Sequence, residues 1–506
     1  MKKDNKILFE EGDDWTFDLL AKFDELSDKY TAELGWDWYK LQIEIVSAEQ
    51  MIELYSSTAL PMNYNHWSFG RSYIRDYQSY TSGNSGLAYE ICLNSNPSLC
   101  YNQESNDALM QFLVIAHVHA HSSHFKMNYL FRNNTDAENI VSYMAFARSF
   151  IAKCEEKYGV ERVEMLLDMA HSLQNNGIDK YKRKHKNSIQ REIERQKQRE
   201  LYEEQHADYF MDSLVKRKSA KPLLIDEDAE LKESYDLPEE NILYFLEKHS
   251  PKLERWEREV LRIVRKIGQY FYPQMQGNIL SEGTASFGHY YCITRAFEDG
   301  YISEGSYLQF LHSHSSVLFQ WEYNNENRNK YNIQINKCQL NAYYFGFNLL
   351  MDIKRICENP TEEDKEWFPD IVGQDWKIVL KDAITNYRDE SLIRQFLSPH
   401  LMRKLKLVHI NYNTDNEYLL VKGHCDEEYY KSIRDNLADQ YLIGNRMPEI
   451  EVSKVNPDDI VLTYHSVKGR EIEKDDAFDV CKNIAHLYGK TVYLVDENEN
   501  VIICAE

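Results

Sequence analysis

One short segment limits this chain more than any other: Leu113-Val-Ile-Ala-His117-Val-His119-Ala-His121-Ser-Ser-His124-Phe-Lys126, an apolar run carrying four histidines. Wound as a helix, it places His117, His121 and His124 at i, i+4 and i+7 in one stripe, while His119 points elsewhere. Imidazoles in an apolar helix cost free energy unless something engages them. Neutral imidazole is the commonest protein metal ligand, and i, i+4 spacing lets two rings meet one ion. Two uses fit the stripe: a metal or catalytic centre, or a hydrogen-bonded polar core. Whether His117 or His119 serves as the first ligand stays open. The pattern H-E-x-x-H is absent, because Val118 stands where the glutamate would be. A carboxylate ligand or general base must therefore come from another part of the chain.

With 506 residues the chain can bury a sizeable core. Its 36 Tyr, 21 Phe and 8 Trp, with 28% charged residues, fit a folded globular protein rather than a disordered one. A net charge of -23 argues against a nucleic-acid binder, which must neutralise phosphates, and against adsorption to an anionic membrane. No apolar run reaches the length of a membrane span, and no signal segment follows Met1. The nine cysteines are scattered, with no C-x-x-C. Reduced thiols in a cytoplasmic protein, and no cysteine-based zinc site, are the expectation.

Periodicity predicts a mainly α protein. Residues 15 to 60 read as helical, and 61 to 104 as irregular with a short strand at 89–93. Helices are predicted at 106–124, 136–157, 160–174, 238–271 (a pair), 283–297, 304–322, 339–357 and 376–397. Thr361 and Asp364 form a capping-box signature. The run at 182–206 is almost wholly charged with mixed signs and reads as a solvated helix or insertion. Beyond about 405 the pattern changes to a hairpin at 405–422, a helix at 426–441, strands at 449–455 and 459–467, a helix at 475–488, and strands at 491–496 and 500–505. The expected organisation is a large helical domain with irregular loops over 1–403, with a charged insertion near 182–230, followed by a small α+β domain over 404–506.

A second chemical segment is Ser281-Glu282-Gly283-Thr-Ala285-Ser286-Phe-Gly288-His289. Glu282 and His289 are seven apart and share a helix face. Gly283, Ala285, Ser286 and Gly288 keep that helix thin, so another can approach closely. A glutamate there could complete a His/His/carboxylate set, or merely complement a helix dipole. His66-Trp67 in a polar loop offers a proton donor or a loop anchor. Asp168 and His171 form an orienting pair or a surface ion pair. Of His312 and His314, at most one can join a site. No phosphate loop, dinucleotide fingerprint or Gly-x-Ser-x-Gly elbow occurs.

Longer stretches resemble the stage V sporulation protein R (SpoVR) family. They include His66-Trp-Ser-Phe-Gly70, Asn94-Ser-Asn-Pro97, Phe125-Lys-Met-Asn-Tyr-Leu-Phe131, Gln269-Tyr-Phe-Tyr-Pro-Gln274, Glu282-Gly283 through His289-Tyr290, and Pro360-Thr-Glu-Glu-Asp364. The likeness spans most of the chain, tail included. Ala120 replaces a family glycine, and Ser281 and Thr284 replace a family Asn and Trp. The resemblance implies a link to sporulation and spore cortex formation or to stress physiology. It also implies association with a Ser/Thr kinase and a von Willebrand-type protein. Two functions follow as expectations. In the first, His117, His121 and Glu282 hold zinc or another divalent metal, His289 or Glu104 shuttles protons, and His66 stabilises an oxyanion. Such a centre would hydrolyse an amide bond in a peptide or peptidoglycan fragment. In the second, the chain is a non-catalytic scaffold working with the kinase.

Overall fold

The computed structural model describes residues 7–56, 64–82, 89–181, 237–320, 340–407, 409–413, 418–422 and 426–506. The charged insertion near 182–230 lies outside them. The first part of the chain carries α1 (Phe17–Glu33), β1 (Leu41–Val46), α2 (Ala48–Ser56), α3 (Trp67–Thr81), β2 (Glu90–Cys92), β3 (Ser98–Gln103) and α4 (Ala108–Met127). It continues through α5 (Tyr129–Asn134), α6 (Ile140–Tyr158) and α7 (Val160–Ser172). Next come α8 (Ile242–His249), α9 (Arg255–Gln276), α10 (Asn278–Glu298), α11 (Glu304–Val317) and α12 (Ala342–Glu358). The short helices α13 (Glu362–Trp367), α14 (Trp376–Asn386), α15 (Asp389–Phe396) and α16 (Pro399–Lys404) close the helical part. The tail holds β4 (His409–Asn413), β5 (Tyr418–Lys422), α17 (Glu427–Asp439), α18 (Ile443–Arg446), β6 (Glu449–Val455), β7 (Asp459–His465), α19 (Lys474–Tyr488), β8 (Thr491–Val495) and β9 (Val501–Ala505). The fold is mainly helical with a small α+β tail.

Helix α4 is the axis of the helical part. Asp107 caps it by accepting from the Met110 N–H, and seventeen of its twenty residues are buried, so it has no solvent face. Its polar groups are mostly paired off: Ser122 donates to the Tyr39 carbonyl, Ser123 to the His119 carbonyl, and Gln111 to the Gln103 carbonyl. Helix α10 crosses it. The first turn of α10 is held by buried Asp389, whose carboxylate accepts from the Ile279 and Leu280 N–H groups.

The thin-helix expectation holds in atomic detail. A Cβ built on Gly283 would lie 2.6 Å from the Gly346 carbonyl carbon, and one on Gly288 would lie 2.5 Å from the Ala120 Cβ. Helix α10 is thus pressed backbone-to-backbone against α12 on one side and onto α4 on the other.

A three-stranded sheet covers another flank of α4, with β1 parallel to β3 and β2 antiparallel to it. This corrects two expectations. Leu41–Val46 is a strand rather than part of a helix, because Leu41, Ile43 and Ile45 alternate with Gln42 and Glu44. Residues 61–104 are not chiefly irregular but contain α3, β2 and β3. The single helix expected over 376–397 breaks at Tyr387-Arg388, where Arg388 opens α15.

In the tail the sheet order is β6-β7-β8-β9, with β7 and β8 parallel across the α19 crossover. The sheet's inner face and α19 share one hydrophobic core with α6 to α9: Val452, Leu462 and Val492 of the sheet and Ile484 of α19 join Leu167, Phe245 and Val264. Tyr429, Tyr430 and Ile433 of α17 belong instead to the core of α10, α12 and α14.

Candidate metal centre

The crossing of α4 and α10 brings the two sequence segments together. Ligand atoms of His117, His121 and Glu282 lie within 4.8 Å of one another, and His117 is buried. The His121 Nε2 is 3.6 Å from Glu282 Oε2, and the His117 Nε2 is 3.8 Å from the same oxygen. These spacings are too long for hydrogen bonds. They are close to what two ligands on one ion require, since tetrahedral bonds of ~2.0–2.1 Å separate neighbouring donor atoms by roughly 3.3 Å. The His117 Nε2 and Glu282 Oε2 are buried with no hydrogen-bond partner. Buried polar atoms of folded proteins are usually paired, and two unpaired ones facing each other beside a third potential ligand fit a cation.

The outward nitrogens are engaged. His121 Nδ1 meets Ser281 Oγ at 3.1 Å, and His117 Nδ1 meets His289 Nδ1 at 2.9 Å. Such contacts orient a ligating imidazole and leave Nε2 to face the centre. Burial, with the neighbouring His121 and His289, holds the His117 pKa well below the usual imidazole value. The ring is therefore neutral at neutral pH, with one nitrogen protonated and the other bearing a lone pair. Burial also works against a charge on His121, but the Glu282 carboxylate outweighs it and raises that pKa.

A fourth group completes the surroundings. Glu90, on β2, places Oε1 3.6 Å from the His117 Nε2. Burial first, and the nearby Glu282 second, push its carboxyl up to about 7, with His121 opposing. Glu90 was not among the sequence candidates. The signal was present in the strand expected at 89–93, since alternation turns Glu90 and Cys92 to one face, but nothing in the sequence says which helix that face meets.

The remaining sequence candidates separate. His119 faces α1, with Nε2 2.8 Å from Asp24 Oδ1, so His117 rather than His119 belongs to the centre. His124, though on the stripe, turns to Phe131, and burial lowers its pKa to about 3. His289 sits behind His117. His66 is not beside the histidine stripe: it caps α3 through Ser68, packs its ring 4.6 Å from His171, and lies 3.2 Å from Asp168. The loop of the sequence reading is a helix start, and its polar partners fix His66 there. Glu104 stands in the exposed turn after β3, where its backbone bonds Val46 and Trp15. Chain direction at the end of β3 carries it to the surface, and Glu90 holds the carboxylate position beside His117.

The fold and site define a class: a mainly helical protein with a largely buried His/His/carboxylate cluster where α4 and α10 cross. The chain belongs to the SpoVR family; the family model described as SpoVR like protein matches residues 14–446. It is 43% identical over 503 residues, 99% of this chain and 96% of the other, to an Escherichia coli K12 protein named YcgB and described as uncharacterized. No solved structure matches. Among the described residues no helix is long and apolar enough to cross a membrane.

Proposed function

We propose that the chain is a metal-dependent hydrolase acting on an amide bond in a peptide or peptidoglycan fragment, with His117, His121 and Glu282 as ligands for zinc or another divalent cation. The carrying observation is the pair of orphaned buried atoms, His117 Nε2 and Glu282 Oε2, that face each other with His121. When bound, the cation supplies Lewis acidity and makes water a competent nucleophile near neutral pH. The residues do the rest. Ser281 and His289 hold the two rings with Nε2 inward. Glu90 takes the general-base position that Val118 leaves empty in the helix motif, receiving the proton of the attacking water and returning it to the leaving amine. His121, Glu282 and Glu90 keep side-chain exposures of 12, 19 and 19%, against 3% for His117, so a substrate reaches the centre from their side. A cytoplasmic setting belongs to the same reading, with Cys92 and Cys100 as adjacent free thiols 3.9 Å apart.

Elemental analysis of freshly purified protein tests the proposal. Near-stoichiometric metal, lost in His121→Ala and Glu282→Ala, is the expected result. Correctly folded wild-type protein that neither contains metal nor takes up added zinc would instead favour the scaffold reading. In that case a pull-down should recover a Ser/Thr kinase or a von Willebrand-type protein.

A further inference from the structure

Behind His117 the imidazoles continue. His117 Nδ1 meets His289 Nδ1 at 2.9 Å, and His289 Nε2 meets His314 Nδ1 at 2.7 Å. The three rings come from α4, α10 and α11 and are 3%, 1% and 5% exposed. The far nitrogen, His314 Nε2, is buried with no hydrogen-bond partner, as is His117 Nε2 at the near end. The His314 ring is boxed by Phe347, Tyr290 and Phe310.

Proton counting fixes what such a row can do. A neutral imidazole carries one N–H, and each N···N contact needs one donor and one acceptor. Three neutral rings therefore have two consistent arrangements. In one, His314 donates through Nδ1 to His289, His289 donates through Nδ1 to His117, and His117 carries its proton on Nε2, facing Glu90 and Glu282. In the other, His117 donates through Nδ1, His289 through Nε2, and His314 carries its proton on Nε2 at the far end. Only the second leaves the His117 Nε2 bare, and a ligating nitrogen must be bare.

We infer that His289 and His314 are positioning residues that lock His117 in the Nε2-ligating tautomer, and that filling the centre reverses the hydrogen-bond direction along the whole row. This rests on the metal reading above but extends it to His314, which no carboxylate or sequence motif ties to the centre. A glutamine at 289 can reproduce the role, because its amide oxygen accepts from His117 while its amide nitrogen donates to His314. A leucine cannot accept, and leaves the His117 Nδ1–H buried and unpaired.

Two measurements test this. Zinc affinity is measured by competition with a chelator for wild type, His289→Leu, His289→Gln and His314→Leu, with circular dichroism confirming the fold. The expected result is a loss of roughly 10- to 100-fold in His289→Leu, a smaller loss in His314→Leu, and recovery in His289→Gln. Ring-nitrogen NMR of wild type labelled with ¹⁵N-histidine needs no variant. On adding zinc, the His314 resonance, assigned by its disappearance in His314→Gln, should change from the Nδ1–H to the Nε2–H pattern. Wild type that binds zinc while His289→Leu binds it equally well, or while His314 keeps its tautomer, overturns this inference and leaves the metal centre standing. Wild type that binds no zinc overturns both.

Discussion

At the scale of single residues, the proposed centre assigns the groups around His117 to ligands and a base, and substitution separates the two. Glu90 differs from Glu282 in its contacts: its Oε1 lies 3.6 Å from the His117 Nε2, whereas Glu282 faces both rings. Glu90→Gln keeps the size and removes the proton acceptor. Steady-state hydrolysis of an amide substrate should fall by about 10²- to 10⁴-fold. Metal content should stay at the wild-type level, which Glu282→Gln would not preserve. Loss of metal in Glu90→Gln would make Glu90 a ligand instead. A second residue-scale case concerns stability. Buried Asp364 caps α13 by accepting from Thr361, and takes both terminal nitrogens of Arg355 at 2.6 and 2.9 Å. Burial raises its pKa, but Arg355 and Thr361 outweigh that and bring it down to about 2. A carboxyl whose folded pKa lies below its unfolded value of about 3.9 stabilises the fold above that value and loses the contribution as pH falls towards the folded pKa. Asp364→Asn should cost about 2 kcal/mol at neutral pH. Its urea midpoint should also lose less between pH 4 and pH 2 than that of wild type. Parallel pH dependence in the two proteins would show that the carboxylate contributes nothing.

At the scale of elements, the crossing of α10 with α4 and α12 makes the centre, and glycine makes the crossing. Gly283→Ala puts a methyl 2.6 Å from Gly346 backbone, where no flexible side chain can yield. Overpacking of this kind costs about 1–3 kcal/mol. Because Glu282 is the adjacent residue, the shift should also weaken zinc affinity, and thermal melts with metal titration on Gly283→Ala should show both effects. A melt and an affinity unchanged from wild type would mean the helices separate freely there. The glycine pattern and the 3.6-residue period were legible in the sequence, as were the His stripe and Glu282, because each is a local regularity on one helix. Glu90 was not, since its place beside His117 depends on which face of a three-residue strand meets α4. His314 was ambiguous with His312 for the same reason: the sequence gives the helix face, but only packing gives its neighbour. The strand at Leu41–Val46 carried a period-two signal that the helical run before it concealed. His66 shows the opposite failure, since its sequence neighbours suggested a loop, whereas its Nδ1 accepts from the Ser68 backbone N–H and caps a helix.

At the scale of the molecule, the question is whether the tail stands apart from the helices. The family model stops at residue 446, just before β6, whereas the likeness to YcgB continues across 99% of the chain. Composition alone also suggested a separate tail beyond 404. The packing ties the sheet to the helical part. Tyr488 of α19 stacks on Phe245 of α8 with ring centroids 5.6 Å apart, Ser250 donates to the Leu487 carbonyl at 2.7 Å, and Asn483 donates to Ser172 at 2.9 Å. Glu239, ahead of α8, exchanges two backbone hydrogen bonds with Val452 of β6, at 3.1 and 2.8 Å. Removing residues 447–506 would uncover much of a core that includes Leu167, Leu243, Phe245 and Leu246. Exposing half a dozen such side chains costs on the order of 10 kcal/mol, which is comparable with the whole net stability of a domain, about 5–15 kcal/mol. A chain ending at Arg446 should therefore be insoluble or melt far below the full-length protein, and should fail to hold zinc at the α4–α10 crossing although it retains every ligand. If that shortened chain instead melted within a few degrees of the full protein, the shared core would contribute little and the tail would be a separable module.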